Sequence, residues 1–273
     1  MTTDNSLNGK RNMEAIVSTS IPGAKKLFSG KVRDVYSADR EHLLIVATDR
    51  ISAFDHVFPN GIPGKGVLLN KISNLWFSSI GFVKNHIVET HYTSFPKPFS
   101  EHPELKDRAV LVKKAERIDF ECVARGYLIG SGWKDYQSTG EICGIKLPEG
   151  LRLAEQLEHP LFTPATKAKS GHDINVTLDY MKRKLDPESA EKLGQLTIQI
   201  YDYAREKLET AGIIVADTKL EFGFLGNEII LIDEVLTPDS SRFWDKARYE
   251  TGTSPASYDK QFIRDYLETT GWD

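Results

Sequence analysis

An α+β fold is what the sequence predicts, and three observations predict it. Residues 27–58 alternate short apolar runs with charged turns before any helical period appears. Residues 66–81 and 186–212 carry apolar residues at three- and four-residue steps, the period of helices buried on one face. Residues 213–234 return to strand periodicity about a Gly-Asn turn. Strands, one helix, loops, a long helix and a hairpin, in that order, are not the regular alternation of a parallel α/β sheet.

Taken along the chain, KVRDVY and HLLIVAT read as two strands joined by the polar turn SADRE. In GVLLNKISNLWFSSIG, Leu68, Leu69, Ile72, Leu75, Trp76 and Ile80 mark one helical face, and Gly81 closes it. HIVETHY and AVLVKKAERI are strands, separated by a proline-rich surface loop. FECVARGYLIGSGWKDY is apolar apart from Glu121 and Arg125. Residues 137–173, rich in Gly and Pro, read mostly as loop. A long helix then starts with Asp186 as cap and Pro187 in its first turn, buries Leu193, Leu196 and Ile200, and stops at Gly212. VADTKLEFG and EIILIDE form the hairpin, and SPASYDKQFIRDYLETTG starts a terminal helix. We expect a polar leader over 1–20, a small sheet-rich lobe over 21–115 and a larger α+β lobe over 116–273.

The 273 residues carry a formal net charge of −4, with 40% apolar and 27% charged side chains. That balance argues against a nucleic-acid or membrane-surface protein, while permitting a basic pocket for an anion. No apolar run is long enough to span a bilayer, and the N-terminus lacks an apolar signal core. Cys122 and Cys143 read as reduced thiols of a cytoplasmic protein.

The chemistry concentrates in a few stretches. In VADTKLEFG, strand alternation places Asp217, Lys219 and Glu221 on one face, with Thr218, Leu220 and Phe222 on the other. Glu221 and Asp233 flank the hairpin turn and are expected across from each other. Two ionised carboxylates about 4 Å apart repel by about 4 kcal/mol at an effective dielectric of about 20. A solvated face with Lys219 bridging the acids would relieve that repulsion. So would Mg²⁺, which takes one or two carboxylates together with phosphate oxygens.

In SGKVRDVY, Gly30 permits close approach of a phosphate, and Lys31 and Arg33 supply charge; an exposed strand after a turn is the plain alternative. Neither a P-loop nor a dinucleotide-binding glycine pattern is present. IPGKG, residues 62–66, reads as a turn. ATDRISAFD gathers Asp49, Arg50, Ser52 and Asp55 at a strand end, either facing a cleft or forming a capped loop with an ion pair. Arg125 sits in an apolar segment and needs a partner: Glu121, four residues earlier, or an anion held with help from Gly130-Ser131-Gly132. TPATKAKSGHD, with Lys167, Lys169, His172 and Asp173, is either a solvated basic loop or a flap over an anion.

Six of these stretches occur together in one order: SGKVRDVY, ATDRISAFD, ECVARGYLIGSGWKDY, FTPATKAKSGHD, ADTKLEFG and IDEVLTPDSSRFW. The set closely resembles the SAICAR synthetases, the phosphoribosylaminoimidazole-succinocarboxamide synthases of purine biosynthesis, from about residue 27 to residue 268. ADTKLEFG with DSSRFW is the most specific part. The resemblance implies a two-lobed α+β fold with ATP-grasp and kinase-like features and an ATP cleft between the lobes. It implies ligation of L-aspartate to 5-amino-1-(5-phosphoribosyl)imidazole-4-carboxylate, with ATP and Mg²⁺.

By the same resemblance, Gly30, Lys31, Arg33, Lys113 and Lys219 serve ATP, and Glu221 and Asp233 hold the metal. The base lies among apolar side chains beside the 112–118 connection. Arg125, Ser131 and Arg242 bind the ribotide phosphate. Asp217 and Asp239, with Lys219, stand at the reacting groups, and Lys167 and His172 belong to the aspartate side or a closing loop. The implied partners are small molecules, with the chain a monomer or small homo-oligomer. A related small-molecule kinase would leave DSSRFW and the ECVARGYLIGS segment without a purpose. A non-catalytic nucleotide-binding module predicts loss of Lys31 or of a metal acid, and all three are present.

Overall fold

The computed structural model describes residues 14–54, 56–167 and 174–271. Its secondary structure is the expected α+β mixture, built on two antiparallel sheets.

The first sheet has five strands in the order Lys25–Ser29, Arg33–Ser37, His42–Ala47, Ala109–Lys113, Ile87–Glu89. The predicted hairpin is present, with Val35 opposite Ile45. Its first strand starts at Arg33, two residues later than KVRDVY suggested. The Gly30 N–H donates to the Arg33 carbonyl at 2.7 Å, which turns the chain there. The strand Lys25–Ser29 before this turn was not anticipated; its outer residues are exposed and give little apolar signal. Residues 14–20 lie against this sheet: Ile16 N–H donates to Asp49 and Thr19 N–H to Asp34.

The helix Lys65–Ser79 forms as its periodicity predicts, but it is less buried than the pattern implied. Gly66, Leu69, Asn70, Ser73 and Phe77 face inward, whereas Leu68 and Leu75 are 58% and 67% exposed. An apolar position marks a helical face only if a neighbouring element covers it. Asp49 accepts the Gly66 N–H at 2.8 Å at the helix start and also pairs with Arg108. That is the capped-loop reading of ATDRISAFD; Asp55 lies outside the described residues.

AVLVKKAERI divides between the two sheets. Ala109–Lys113 ends in the first, and Glu116–Arg117 pairs with the central strand of the second. That central strand is Ile213–Leu225, flanked by Phe120–Tyr127, Glu228–Ile232 and Ser241–Asp245. Leu225 faces Glu228 across the two-residue turn Gly226-Asn227, with Gly226 at φ 61°. Glycine suits that left-handed first position.

Residues 137–173 hold more strand than expected. Gln156–Phe162 pairs with Phe120–Tyr127, and Ala165–Thr166 extends the same sheet. Pro160 obscures the pattern; it sits where the register shifts between Gln156 and Leu161.

The long helix Pro187–Glu209 is capped by Asp186, which accepts the Ser189 N–H at 2.8 Å. Its Leu193, Leu196 and Ile200 pack against Cys122, Ala124, Leu220 and Phe222 beneath the second sheet. Each such side chain contributes about 1.5–3 kcal/mol by leaving water. This core fixes which sheet face is left for polar residues. The terminal helix runs over Gln261–Thr269. Cys122 and Cys143 are free. Among the described residues, no helix is long and apolar enough to cross a membrane.

Candidate functional site

A cleft of about 1220 Å³ opens between the two sheets. Every described residue that the resemblance assigns to the site lines it: Gly30, Lys31, Arg33 and Lys113 from the first sheet and its turns, and Arg125, Ser131, Lys167, Asp217, Lys219, Glu221, Asp233, Asp239 and Arg242 from the second. Asp49 and Arg50 do not. His172 lies outside the described residues, as do Lys169 and Asp173.

The floor is the strand Ile213–Leu225. Leu220 and Phe222 are fully buried below it, and Asp217, Lys219 and Glu221 point into the cleft above. The alternation expected from the sequence is therefore present, but the partners of its charges are not those expected. Lys219 bonds to Glu121, not to the acids of its own hairpin. Burial would lower the Lys219 pKa, but Glu121 more than offsets this and holds it above the usual lysine value.

Arg125 pairs with Asp217 and not with Glu121. The two residues are direct cross-strand partners, with Arg125 Nη1 3.2 Å from Asp217 Oδ2. The same guanidinium donates from Nε to Thr163 Oγ1 and from Nη2 to Ser131 Oγ, both at 2.9 Å. On the other side of the central strand, Arg242 is also in register with Asp217 and bonds to it. One carboxylate thus holds two guanidinium groups side by side.

Ser131 stands in the first turn of the helix Gly130–Thr139, whose N-terminus has no side-chain cap. Its first N–H groups are available to an anion. Gly130 has φ 62°, and a Cβ there would lie 2.6 Å from Arg242 Nη2. Glycine is required both by the backbone and by the close approach of that guanidinium.

Glu221 and Asp233 do not face each other directly. The register sets Ile232 opposite Glu221. Asp233 leaves the strand in a left-handed conformation, φ 66°, and so reaches the same cleft. A non-glycine residue there is uncommon and implies support from its surroundings. Arg33 grips both Asp233 and Glu234, and Lys167 binds Glu221. Burial would raise the Asp233 pKa, but Arg33, helped by Lys167 and Lys219, keeps it below the usual carboxylate range.

Two carboxylates on one cleft wall suit a magnesium ion that takes the rest of its shell from phosphate oxygens and water. Among the described residues there is no cluster of three ligating side chains.

Asp239 is held by Lys65 at 2.5 Å and Lys260 at 3.6 Å. Burial opposes its ionisation, yet these lysines keep its pKa below the ordinary value. Lys65 comes from IPGKG, which is therefore more than a turn: Lys65 opens the helix. Lys260, just before the terminal helix, and Gln261 and Arg264 within it line the cleft as well and were not anticipated. Their spacing in DKQFIRDYL, with Lys260 and Arg264 one turn apart beside Gln261, was the available signal. Glu234 and His86 were missed in the same way, and Glu121 was read only as a partner for Arg125. His86 is an isolated histidine in a strand-like stretch, and nothing nearby in sequence marks it.

Val35, Leu43, Ile45, Val112, Ala115 and Ile232 give the cleft an apolar end beside the 113–115 connection. The other end is dominated by the paired arginines and the open helix N-terminus. The site therefore offers a place for a flat apolar group, a pair of acids for a cation and a fork of donors for a compact anion.

The chain as a whole is similar to known proteins. The family model described as SAICAR synthetase matches residues 26–273. The chain is 52% identical over 260 residues to the phosphoribosylaminoimidazole-succinocarboxamide synthase of Thermodesulfovibrio yellowstonii, covering 94% of this chain and 89% of the relative. The synthase of Elusimicrobium minutum is also 52% identical, over 258 residues, covering 93% and 87%. Among solved structures, SAICAR synthase from Saccharomyces cerevisiae complexed with SAICAR superposes with a TM-score of 0.85 at 41% identity, covering 94% of this chain and 88% of that one.

Proposed function

The chain belongs to the SAICAR synthetase family, and on that premise we propose that its cleft joins L-aspartate to 5-amino-1-(5-phosphoribosyl)imidazole-4-carboxylate at the expense of ATP, in purine biosynthesis. The observation that carries this reading is the floor strand. Asp217, Lys219 and Glu221 lie along one face of it, in the cleft that gathers every described residue the resemblance assigns to the site.

A carboxylate is a poor acyl donor because oxide is a poor leaving group. In the proposed course, a ribotide carboxylate oxygen attacks the γ-phosphorus of ATP and the bond to the β-phosphate oxygen breaks, releasing ADP. The aspartate nitrogen then attacks the acyl carbon, phosphate leaves and the amine gives up a proton. Such transfers depend on positioning and charge neutralisation more than on covalent help from the protein.

The chain's residues divide these tasks. The apolar end receives the base beside Lys113. Gly30 and Lys31 approach the phosphates from above, and Lys219 meets them from the floor. Glu221 and Asp233 would hold Mg²⁺, which supplies charge neutralisation of the phosphate oxygens. Arg33 and Lys167, now bound to those acids, offset the repulsion between the two carboxylates. Arg125, Ser131 and Arg242, with the open helix N-terminus, take the ribotide phosphate, and Asp217 holds both guanidinium groups in one plane of approach.

Asp239 sits between Lys65 and Lys260. A carboxylate kept this acidic suits accepting a hydrogen bond from a substrate N–H better than storing a proton. Lys167 and His172 are assigned to the aspartate side. The two sheets form the cores of two lobes, 21–115 and 116–273, that close on the substrates. Soluble phosphorylated substrates fit a cytoplasmic enzyme.

The test is ADP release measured with the carboxylated ribotide, with and without L-aspartate. Aspartate-dependent release is expected. ADP release that ignores aspartate would overturn the ligase reading in favour of a kinase or hydrolase.

A further inference from the structure

The turn Gly30-Lys31-Val32 is held from behind by the stretch ATDRISAFD. Arg50 donates from Nη2 to the Gly30 carbonyl at 2.9 Å and from Nε to the Lys31 carbonyl at 3.1 Å. Its other bonds run from Nη1 to the Val17 carbonyl at 2.6 Å and from Nη2 to Asp34 Oδ1 at 2.9 Å. Thr48 donates to the next carbonyl, that of Val32, from its N–H at 2.9 Å and from Oγ1 at 2.8 Å. Three successive carbonyls are thus turned toward one supporting stretch.

The direction of the carbonyls fixes the direction of the amides. The peptides of this turn are trans, so each is planar with its C=O and N–H pointing opposite ways. The Lys31 N–H belongs to the peptide whose oxygen Arg50 holds at Gly30. The Val32 N–H belongs to the peptide whose oxygen it holds at Lys31. Gly30, Lys31 and Val32 line the cleft, and Arg50 does not. Both N–H groups therefore face the cleft. Successive amides on one side of a turn make a concavity that suits an anion. A cation at the oxygen ends also polarises the two peptides and strengthens their N–H ends as donors.

The plainer role for Arg50 is that of an anchor. Its bonds to Val17 and Asp34 tie residues 14–20 to the first sheet and fit that role. Its bonds to Gly30 and Lys31 do not. They meet a turn that the Gly30 N–H already closes on the Arg33 carbonyl at 2.7 Å. What they add is the orientation of two peptides.

We propose that Arg50 is a positioning residue for the nucleotide phosphates, holding the turn so that the N–H groups of Lys31 and Val32 face the phosphate oxygens. This rests on the reading of the cleft as an ATP site. Arg50 itself touches no substrate. Its planar fork spans two successive carbonyls, whereas lysine is a point charge that can hold one.

The experiment joins calorimetry with amide resonances, in magnesium buffer. ATP and the carboxylated ribotide are titrated separately into the native protein, Arg50→Lys and Asp34→Asn. Arg50→Lys is expected to bind ATP about tenfold more weakly, the effect of losing one or two hydrogen bonds, with ribotide affinity unchanged. Asp34→Asn loosens the same anchor but leaves the fork on both carbonyls. It should lower the melting temperature and keep native ATP affinity. In the native protein, the amide protons of Lys31 and Val32 should move downfield when ATP binds.

Amide protons of Lys31 and Val32 that stay in place as ATP binds would overturn the proposal, and no variant is needed to see it. Native ATP affinity in Arg50→Lys would overturn it as well. So would an equal loss of ATP and ribotide binding in that variant, or an equal loss of ATP binding in Asp34→Asn, since either is the mark of an anchor alone. A native protein that does not bind ATP would instead remove the ATP reading on which the proposal stands.

Discussion

Arg125 and Asp217 are 92 residues apart in the chain and directly opposite each other in the sheet, with Nη1 3.2 Å from Oδ2. Both are almost fully buried. Burial lowers the Arg125 pKa and Asp217 opposes that effect. Neither charge would be tolerated there alone, because an unpaired buried ion costs several kcal/mol. The pair, widened by Arg242, is the rigid base of the proposed phosphate fork.

Arg125→Lys should therefore raise KM for the ribotide at least tenfold while leaving KM for ATP nearly unchanged. Lysine cannot reach Asp217, Ser131 and Thr163 at once. A hydroxyl left without its partner also costs about 1–3 kcal/mol, so the melting temperature should fall. Steady-state kinetics in each substrate separate the two effects, and a larger shift for ATP would place Arg125 in the wrong subsite.

Asp233→Asn should lower Mg²⁺·ATP-dependent turnover by orders of magnitude with the fold retained. The amide keeps the shape but neither neutralises Arg33 nor binds a cation well. Circular dichroism checks the fold, and magnesium titration of the residual rate checks the role. Near-normal turnover would remove Asp233 from the metal site.

Gly130→Ala tests the close approach of Arg242. The left-handed backbone alone costs on the order of 1 kcal/mol for a residue with a side chain. The new methyl would also collide with the guanidinium, since the present clearance is 2.6 Å. Ribotide KM is expected to rise several-fold, with ATP KM unaffected. Unchanged ribotide binding would show that Arg242 needs no such clearance.

Asp34 predicts an acid limb of stability. It is fully buried and accepts from Thr19 and Arg50, with Lys26 alongside. Burial would raise its pKa, but these donors bring it down to about 2 from an ordinary 3.8. A folded value below the unfolded one stabilises the fold above the unfolded value, and that contribution is lost as pH falls through the folded value. Melting temperature should drop between pH 3.8 and about 2, and Asp34→Asn should flatten that limb. An identical limb in the variant would assign it to other carboxylates.

Much of the fold was legible because its signals are local. Asp186 and Pro187 announced the long helix, the Gly226-Asn227 turn fixed the hairpin, and period-two spacing put Asp217, Lys219 and Glu221 on one face. Gln156–Phe162 escaped because Pro160 interrupts its pattern. The exposed Leu68 and Leu75 were over-read because helical period does not say whether a face is covered. Among the cleft residues, those in dense motifs were found, whereas Lys65, Lys260, Arg264 and His86 were not. Each of these is a single residue whose meaning comes from a distant neighbour.

By itself, then, the sequence determined the element types and which side chains share a strand face, since both follow from short-range backbone geometry. Only the tertiary structure decided the pairings. Asp217 with Arg125 and Arg242, Lys219 with Glu121 and Asp239 with Lys65 depend on strand register and on contacts between distant segments. Asp233 reaches the cleft only through a left-handed turn that spacing does not encode. Electrostatic partnership acts through space over a few ångströms, and positions tens of residues apart in the chain carry no mark of it until the sheet brings them together.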